Sequence, residues 1–516
     1  MKLHYSLDSA IVLDPVHGPT TLSMLKDAGV SSIWLWGYFF GKLWSPVEDM
    51  VRAKEVIENN GFEVGIIQLP VGHPGNGLNP EDESLDLQLP SHWRYRKDIH
   101  GNPVYYCADI EDTMIEDNRK SIEMLRKVGF TRFFMDDDLR MEQWGSQIGG
   151  CYCDVCLTDF NAMFKRSVTR EALGMFIANR TDSAVLEDWT QFNCSKVTQF
   201  MSAMQQADIQ LGIMVMYLGD ERHGIDVPAI KLSCKDVMFR VGEYHFSDET
   251  FATPTDKAEE LLGILYHLNL MGRENAYSET TVFPPRALHA ANLLFKAKMA
   301  VAAGIPNILF MSGTWLIDQG YWQTISDGLP ALQDVESKVA PYERSFPVHI
   351  VSGTHGSFGE EIVPSVLPIL AGLPAKPVRG REIDAGLESP AELLLFFGNY
   401  LLTAAWITKL SLYKRVFFDK TAVECNKETL KFMPLNNVEM ITEELSIELL
   451  RQKIQCHSVS FPMMTSGENI AVIWLAEARS VIFLNLMDDE NKGILTYDGH
   501  DMDVSLQGLE MLVISF

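Results

Sequence analysis

Arg132-Phe133-Phe134-Met135-Asp136-Asp137-Asp138 is a short apolar run that ends abruptly in three carboxylates. A run this short, rich in aromatics and followed at once by charge, predicts a buried strand over Arg132 to Asp136 with its polar end at an opening. Seven other runs of this kind flank it: Leu3 to Leu7, Ser32 to Trp36, Val64 to Gln68, Gln210 to Met216, Val237 to Val241, Asn275 to Ser278 and Asn307 to Met311. Amphipathic stretches separate them and predict helices over Thr20 to Ala28, Met50 to Asn59, Glu116 to Lys127, Phe160 to Phe176, Ala184 to Gln206, Pro254 to Asn269 and Pro285 to Ala303. Eight strands alternating with helices predict an α/β architecture of the (β/α)8 TIM barrel kind. The competing doubly wound open sheet lacks its usual mark, since no G-x-G-x-x-G turn follows the first strand.

Beyond the barrel, Ala340-Pro341-Tyr342 reads as a hinge into a second α/β pattern, with strands at Val348 to Val351 and Leu393 to Phe397. The last stretch, with Ala471 to Leu475, Ser480 to Leu486 and Met511 to Ile514 around an Asp488-Asp489-Glu490-Asn491 turn, reads as a small β domain. The expected division is a barrel over 1–338, a small α/β domain over 339–452 and a β-sandwich-like domain over 453–516.

Bulk composition narrows the class of partner. The formal charge of -26 and the absence of clustered Lys and Arg argue against nucleic acid and anionic membranes. No long apolar run predicts a membrane span, and Met1-Lys2-Leu3-His4-Tyr5-Ser6 lacks the apolar core of a signal peptide, so a cytoplasmic location is expected. Eight unevenly spaced cysteines fit a reducing compartment better than a disulfide framework.

Three of those cysteines form a C-x-C-x-x-C knot, Cys151-Tyr152-Cys153-Asp154-Val155-Cys156, shortly after the acidic strand end. Thiolates at that spacing suit a tetrahedral zinc ion. Cys107, in Tyr105-Tyr106-Cys107, is the expected fourth ligand if the intervening segment folds back on the knot, and ordinary reduced cysteines are the bland alternative. Cys194, Cys234, Cys425 and Cys456 read as filler, and no organic cofactor is expected.

In a (β/α)8 barrel the chemistry sits where strands end, so the residues just past each run carry the functional reading. Asp138 follows the fourth strand and Glu279 closes Ala276-Tyr277-Ser278-Glu279 at the seventh. Two carboxyl groups facing each other across a barrel mouth can cleave a glycosidic bond, one donating a proton and the other attacking as nucleophile or base. Three adjacent aspartates also raise the pKa of at least one of them, as a proton donor requires. One of the three serving instead as a helix cap is the bland alternative, and Glu142 is a rival donor in the same loop. Asp8, Trp36, Asp137, Arg140, Glu243, His245 and Trp315 are the expected substrate contacts, the tryptophans as platforms for sugar C–H faces. Glu243 and His245 alternate past the sixth strand, so the intervening residue faces the other way.

Together these residues resemble glycoside hydrolase family 42, the trimeric beta-galactosidases, and its family 164 relatives. The resemblance is strongest over Pro90 to Phe160: Leu89-Pro90-Ser91-His92-Trp93, Asp98 to Gly101, Tyr105-Tyr106-Cys107, the acidic strand end and the cysteine knot follow in the family's order. It implies a structural zinc on the four cysteines, a homotrimer built through the α/β trimerisation domain, a small saccharide or glycoside as partner, and retention through a glycosyl-enzyme intermediate. The family's acid/base glutamate, preceded by asparagine, falls on Asp138 with Asp137 at the asparagine, and its nucleophile falls on Glu279. An aspartate donor reaches less far than a glutamate, and related inverting phosphorylases use one. A retaining exo-acting beta-glycosidase is therefore the first expectation. An inverting glycosidase or glycoside phosphorylase with Asp138 as acid is the second, and a barrel that binds sugar without turnover the third.

Overall fold

A computed structural model describes residues 1–72, 89–136, 139, 148–179, 181–215, 220–353, 365–385, 389–398, 400–402, 406–431 and 436–516. Eight parallel strands close on themselves: β1 (Lys2–Leu7), β2 (Val30–Phe39), β3 (Glu63–Leu69), β4 (Arg132–Met135), β5 (Gln210–Met214), β6 (Met238–Arg240), β7 (Ala276–Tyr277) and β8 (Asn307–Met311). β1 pairs with β8 from Lys2↔Asn307 to Tyr5↔Phe310 and with β2 from Leu3↔Val30 to Leu7↔Leu35, which shuts the cylinder. All eight strands coincide with runs read from the sequence, and the barrel is the expected one.

The interior explains why such short strands hold. Side chains alternate across a strand, so every second residue of each strand points inward. His4, Trp34, Phe134 and Tyr277 meet as a floor of rings, with centroids 5.0 Å apart for His4 and Tyr277, 5.4 Å for Trp34 and Phe134 and 5.3 Å for Phe134 and Tyr277. Room for them comes from glycine on neighbouring strands: a Cβ on Gly65 would lie 2.3 Å from the Trp34 ring, and one on Gly212 3.0 Å from that of Phe134. Two residues beyond Phe134 and Tyr277 the same inward face carries Asp136 and Glu279. The alternation that buries the floor thus delivers carboxylates to the mouth.

One expected helix is two. Asp154–Phe164 and Arg170–Asn179 replace the single helix read over Phe160 to Phe176. The break is local chemistry: Lys165 turns left-handed at φ 53°, and the Asn161 amide both donates to the Val168 carbonyl and accepts from its N–H, each at 2.9 Å. A side chain that satisfies backbone groups outside the helix competes with helix continuation. The helix expected from Pro285 begins later, at Ala290.

The chain divides into two compact units, Met1–Ser247 with Leu270–Leu293 and Pro306–Leu329, and Asp248–Asn269 with Leu294–Ile305 and Pro330–Phe516. All eight barrel strands lie in the first. The second holds a five-stranded parallel sheet of β9 (Val348–Gly353), β10 (Ala375–Pro377), β11 (Leu393–Gly398), β12 (Arg415–Phe418) and β13 (Val438–Met440), in the order β10-β9-β11-β12-β13. Phe396, Tyr400, Trp406 and Phe418 fill one face of it. Two three-stranded antiparallel sheets follow between Met463 and Ser515, with Val472, Val481, Phe483, Leu495 and Leu506 buried among them.

Candidate active site

Glu279 is placed by a strand that barely exists as a ladder. β7 is two residues long, and the chain continues through Ser278 and Glu279 to a second two-residue contact, where Thr280 and Thr281 pair with Phe310 and Met311 of β8. Ser278 anchors the gap: its N–H donates to the Asn307 carbonyl at 2.9 Å, and its hydroxyl accepts from Leu309 N–H at 3.1 Å and meets the Thr280 hydroxyl at 2.7 Å. With Ser278 and Thr280 tied to β8, alternation turns Glu279 the other way, into the barrel, where it is only 4% exposed.

Three groups meet there. The backbone N–H of Glu243 donates to Oε2 of Glu279 at 2.8 Å, and the N–H of Glu279 donates to Oε1 of Glu243 at 3.0 Å. The reciprocal bonds continue the β6–β7 pairing past the point where the ladder stops. Arg240, the last residue of β6 and 2% exposed, ion-pairs with Oε1 of Glu279 at 3.2 Å and with Oδ1 of Asp136 at 2.7 Å. The Met214 and Met311 thioethers flank the guanidinium, the former at 2.7 Å. A carboxylate that accepts both from a guanidinium and from a backbone N–H is held ionised and fixed in its plane.

The remaining expected contacts divide. Glu243 and His245 are buried and Tyr244 between them is 55% exposed, the alternation expected past the sixth strand. Asp8 instead caps the helix Ser9–Leu13, accepting from Ala10 N–H at 2.9 Å and from the Trp44 indole at 2.9 Å. Trp36 packs into the same aromatic cluster, its ring 5.2 Å from that of Trp44 and 6.3 Å from that of Phe39, so it is a core residue here rather than an open platform. Trp315, past β8, is 9% exposed, with Arg286 5.6 Å over its ring, and its indole N–H meets no acceptor among the described residues. Asp137, Asp138, Arg140 and the rival Glu142 lie outside the described residues. Arg240 was not among the residues singled out from the sequence. Its signal was an arginine inside Val237-Met238-Phe239-Arg240-Val241, where a barrel strand otherwise carries only apolar side chains.

The cysteine knot gathers three of the four expected cysteines with an aspartate. Cys151, Cys153 and Cys156 converge with Asp109, and one ligand atom from each lies within 4.8 Å of all the others. Cys107 is not in that group; its thiol faces the Ala108 carbonyl at 3.6 Å. The hairpin Tyr95–Lys97 and Pro103–Ala108 brings Asp109, just past its second strand, to the knot. Cys153 caps the helix Asp154–Phe164, accepting from Cys156 N–H at 3.4 Å. Hydrogen bonds from Cys151 and Cys156 hold the Cys153 thiol far below its usual range, while the Cys151 thiol is pushed up to about 12, chiefly by its bond to Cys153. Arg94 and Lys196 each reach Asp109 at 2.5 Å, and Lys196 lies 3.2 Å from the Cys156 sulfur. Four anionic donors against two cations leave two negative charges, the complement of one divalent ion. The set fits a closed structural site with no open position for substrate.

No protein-family model matches the chain, and no curated protein matches its sequence. Among solved structures it is similar to Gan42B, a GH42 beta-galactosidase, with a TM-score of 0.67 at 11% identity over 99% of this chain and 97% of that one. A catalytic mutant of Gan42B from G. stearothermophilus is similar at a TM-score of 0.65, with the same identity and coverage. A likeness at that identity is one of fold, and the fold of this chain, barrel and following sheets included, is that of a GH42 beta-galactosidase structure.

Proposed function

We propose that the protein is a retaining, exo-acting glycoside hydrolase that cleaves a small beta-glycoside by double displacement, with Glu279 as nucleophile and Asp138 as acid/base. The observation that carries this reading is the Glu279 carboxylate itself, inward on a barrel strand end and held by Arg240 and the Glu243 N–H. An attacking carboxylate must be ionised and aimed, and both contacts serve that end. The partner carboxyl, Asp138, follows the fourth strand in sequence and lies outside the described residues. In the first step Asp138 gives its proton to the leaving oxygen as Glu279 attacks the anomeric carbon; in the second it takes a proton from water, which releases the sugar with its configuration kept.

Glu243 and His245, on the adjacent strand end, and Trp315, whose buried indole N–H meets no acceptor among the described residues, are the proposed substrate contacts. Zinc is the proposed metal of the Asp109 and cysteine cluster, where it would cross-link the hairpin to the helix Asp154–Phe164 and take no part in bond cleavage. A homotrimer in a reducing compartment completes the proposal; none of the eight cysteines is in a disulfide.

The experiment is a panel of aryl glycosides carrying beta-galactosyl, beta-mannosyl, beta-glucosyl and alpha-L-arabinosyl groups, with the first-formed anomer read by NMR. Turnover with retained configuration supports the proposal. Turnover with inversion moves Asp138 to the acid of a single-displacement enzyme, and a fully negative panel shifts the reading to phosphorolysis or an unusual substrate.

A further inference from the structure

Arg240 is an unusual residue for its place. It sits within the barrel at the end of β6, fully charged at any working pH, and burying a guanidinium away from water is unfavourable by several kcal/mol unless anions meet it. Here two do, from strands on either side of β6: Asp136 just past β4 at 2.7 Å and Glu279 just past β7 at 3.2 Å. Packed between the thioethers of Met214 and Met311, the head group has little freedom to choose another geometry.

We infer that Arg240 is the positioning residue of the reaction: it keeps Glu279 ionised and in one orientation, and ties the end of β4, through Asp136, to the strand end that bears the nucleophile. This rests on the hydrolase reading above. Two features argue for this over simple core packing. The guanidinium takes one oxygen of Glu279 while the Glu243 N–H takes the other, so neither oxygen is free to swing. And the same guanidinium pairs with Asp136, just past β4, so it fastens the end of β4 to the strand end that bears Glu279. A packing role needs only bulk; this one needs charge and a forked head group.

The test uses the whole protein and the aryl glycoside of the panel that it turns over fastest. Arg240→Met keeps the length and removes the charge. It should lower kcat by about 10²-fold or more and move the acidic limb of kcat/KM upward by about one pH unit, because an ionised nucleophile loses a cation paired with it. Arg240→Lys should recover part of both losses. Asp136→Asn, which removes one anionic partner of Arg240 and keeps Glu279, should move the limb the opposite way, and it keeps the question decidable should the methionine variant fail to fold. A fall in rate with an unmoved limb in Arg240→Met and Arg240→Lys, or an upward limb in Asp136→Asn, would overturn the inference. Failure of the underlying reading looks different: Glu279→Gln would then keep its turnover, or the unaltered protein would cleave no glycoside.

Discussion

Glu243 and Glu279 each place a carboxylate oxygen on the other's backbone N–H, at 3.0 Å and 2.8 Å respectively, so two acidic strand ends are fastened by the groups that would repel. The arrangement is stable because neither carboxylate relies on the other's charge; each bonds to an amide, and Arg240 offsets the negative excess. It also joins β6 to β7 where ladder bonds are missing.

Substituting Glu243 separates its two contributions. Glu243→Gln keeps an oxygen that can accept from Glu279 N–H, so melting temperature should stay near that of the parent. Glu243→Ala leaves that buried N–H unmet and should destabilise the protein by about 1–3 kcal/mol while lowering kcat at least tenfold. Thermal unfolding beside steady-state kinetics reads both. A glutamine variant as unstable as the alanine one would show that charge, not the hydrogen bond, holds the strand ends.

The proposed zinc site predicts a ranking of variants. Asp109→Asn and Cys153→Ser should each release most of the bound zinc, read by elemental analysis, whereas Cys107→Ser should retain it. Binding must displace protons from Cys151, whose thiol lies up near 12, and from Cys156, so affinity should rise with pH. Chelation should lower the melting temperature more than it changes kcat measured at low temperature. Equal loss of zinc from Cys107→Ser would restore the four-cysteine site.

His4 makes stability sensitive to acid. Burial lowers its pKa to about 3; the Nδ1 atom accepts from the Trp34 indole at 3.3 Å and Nε2 lies 3.1 Å from the Asn307 side-chain oxygen. Below pH 6.5 the unfolded chain binds a proton that the folded protein does not, so stability falls as pH drops from 6.5 towards about 3, by about 1.4 kcal/mol per unit from this group. His349, also lowered to about 3 by burial, acts in the same direction. Denaturant titrations at a series of pH values should show a smaller slope in His4→Asn, and an unchanged slope would mean that His4 titrates alike in both states.

Lys296 and Glu260 form an ion pair with both side chains fully buried. Removing one partner strands a charge, so Lys296→Met should destabilise by about 3–5 kcal/mol, and pairing it with Glu260→Leu should recover much of that. Denaturation midpoints of the single and double variants decide it.

The barrel was legible because its signal is repeated. Eight short runs ending in polar residues can each be misjudged by a residue or two and still count to eight, and the strands at Asn307–Met311 and Arg132–Met135 fell almost where the pattern placed them. Glu279 was legible for the same reason, as a carboxylate at a strand end. Arg240 was not, since one charge in an apolar run reads as noise until its partners, 104 and 39 residues away in sequence, are seen beside it. Asp109 escaped because cysteine spacing announces a thiolate site by itself, while a carboxylate ligand has no spacing signature. Asp8 and Trp36 were read from position alone; the indole of Trp44, on a turn after β2, drew both into local structure.

The most direct test of the account is covalent trapping of the nucleophile. A 2-deoxy-2-fluoro glycoside with a dinitrophenolate leaving group, carrying the sugar preferred in the panel, should inactivate the protein with one label per chain, and peptide mapping should find that label on Glu279. The Glu279→Gln variant should take up no label, with turnover of the ordinary glycoside down by about 10⁴-fold or more. A label on another carboxylate, or full turnover without Glu279, would contradict it.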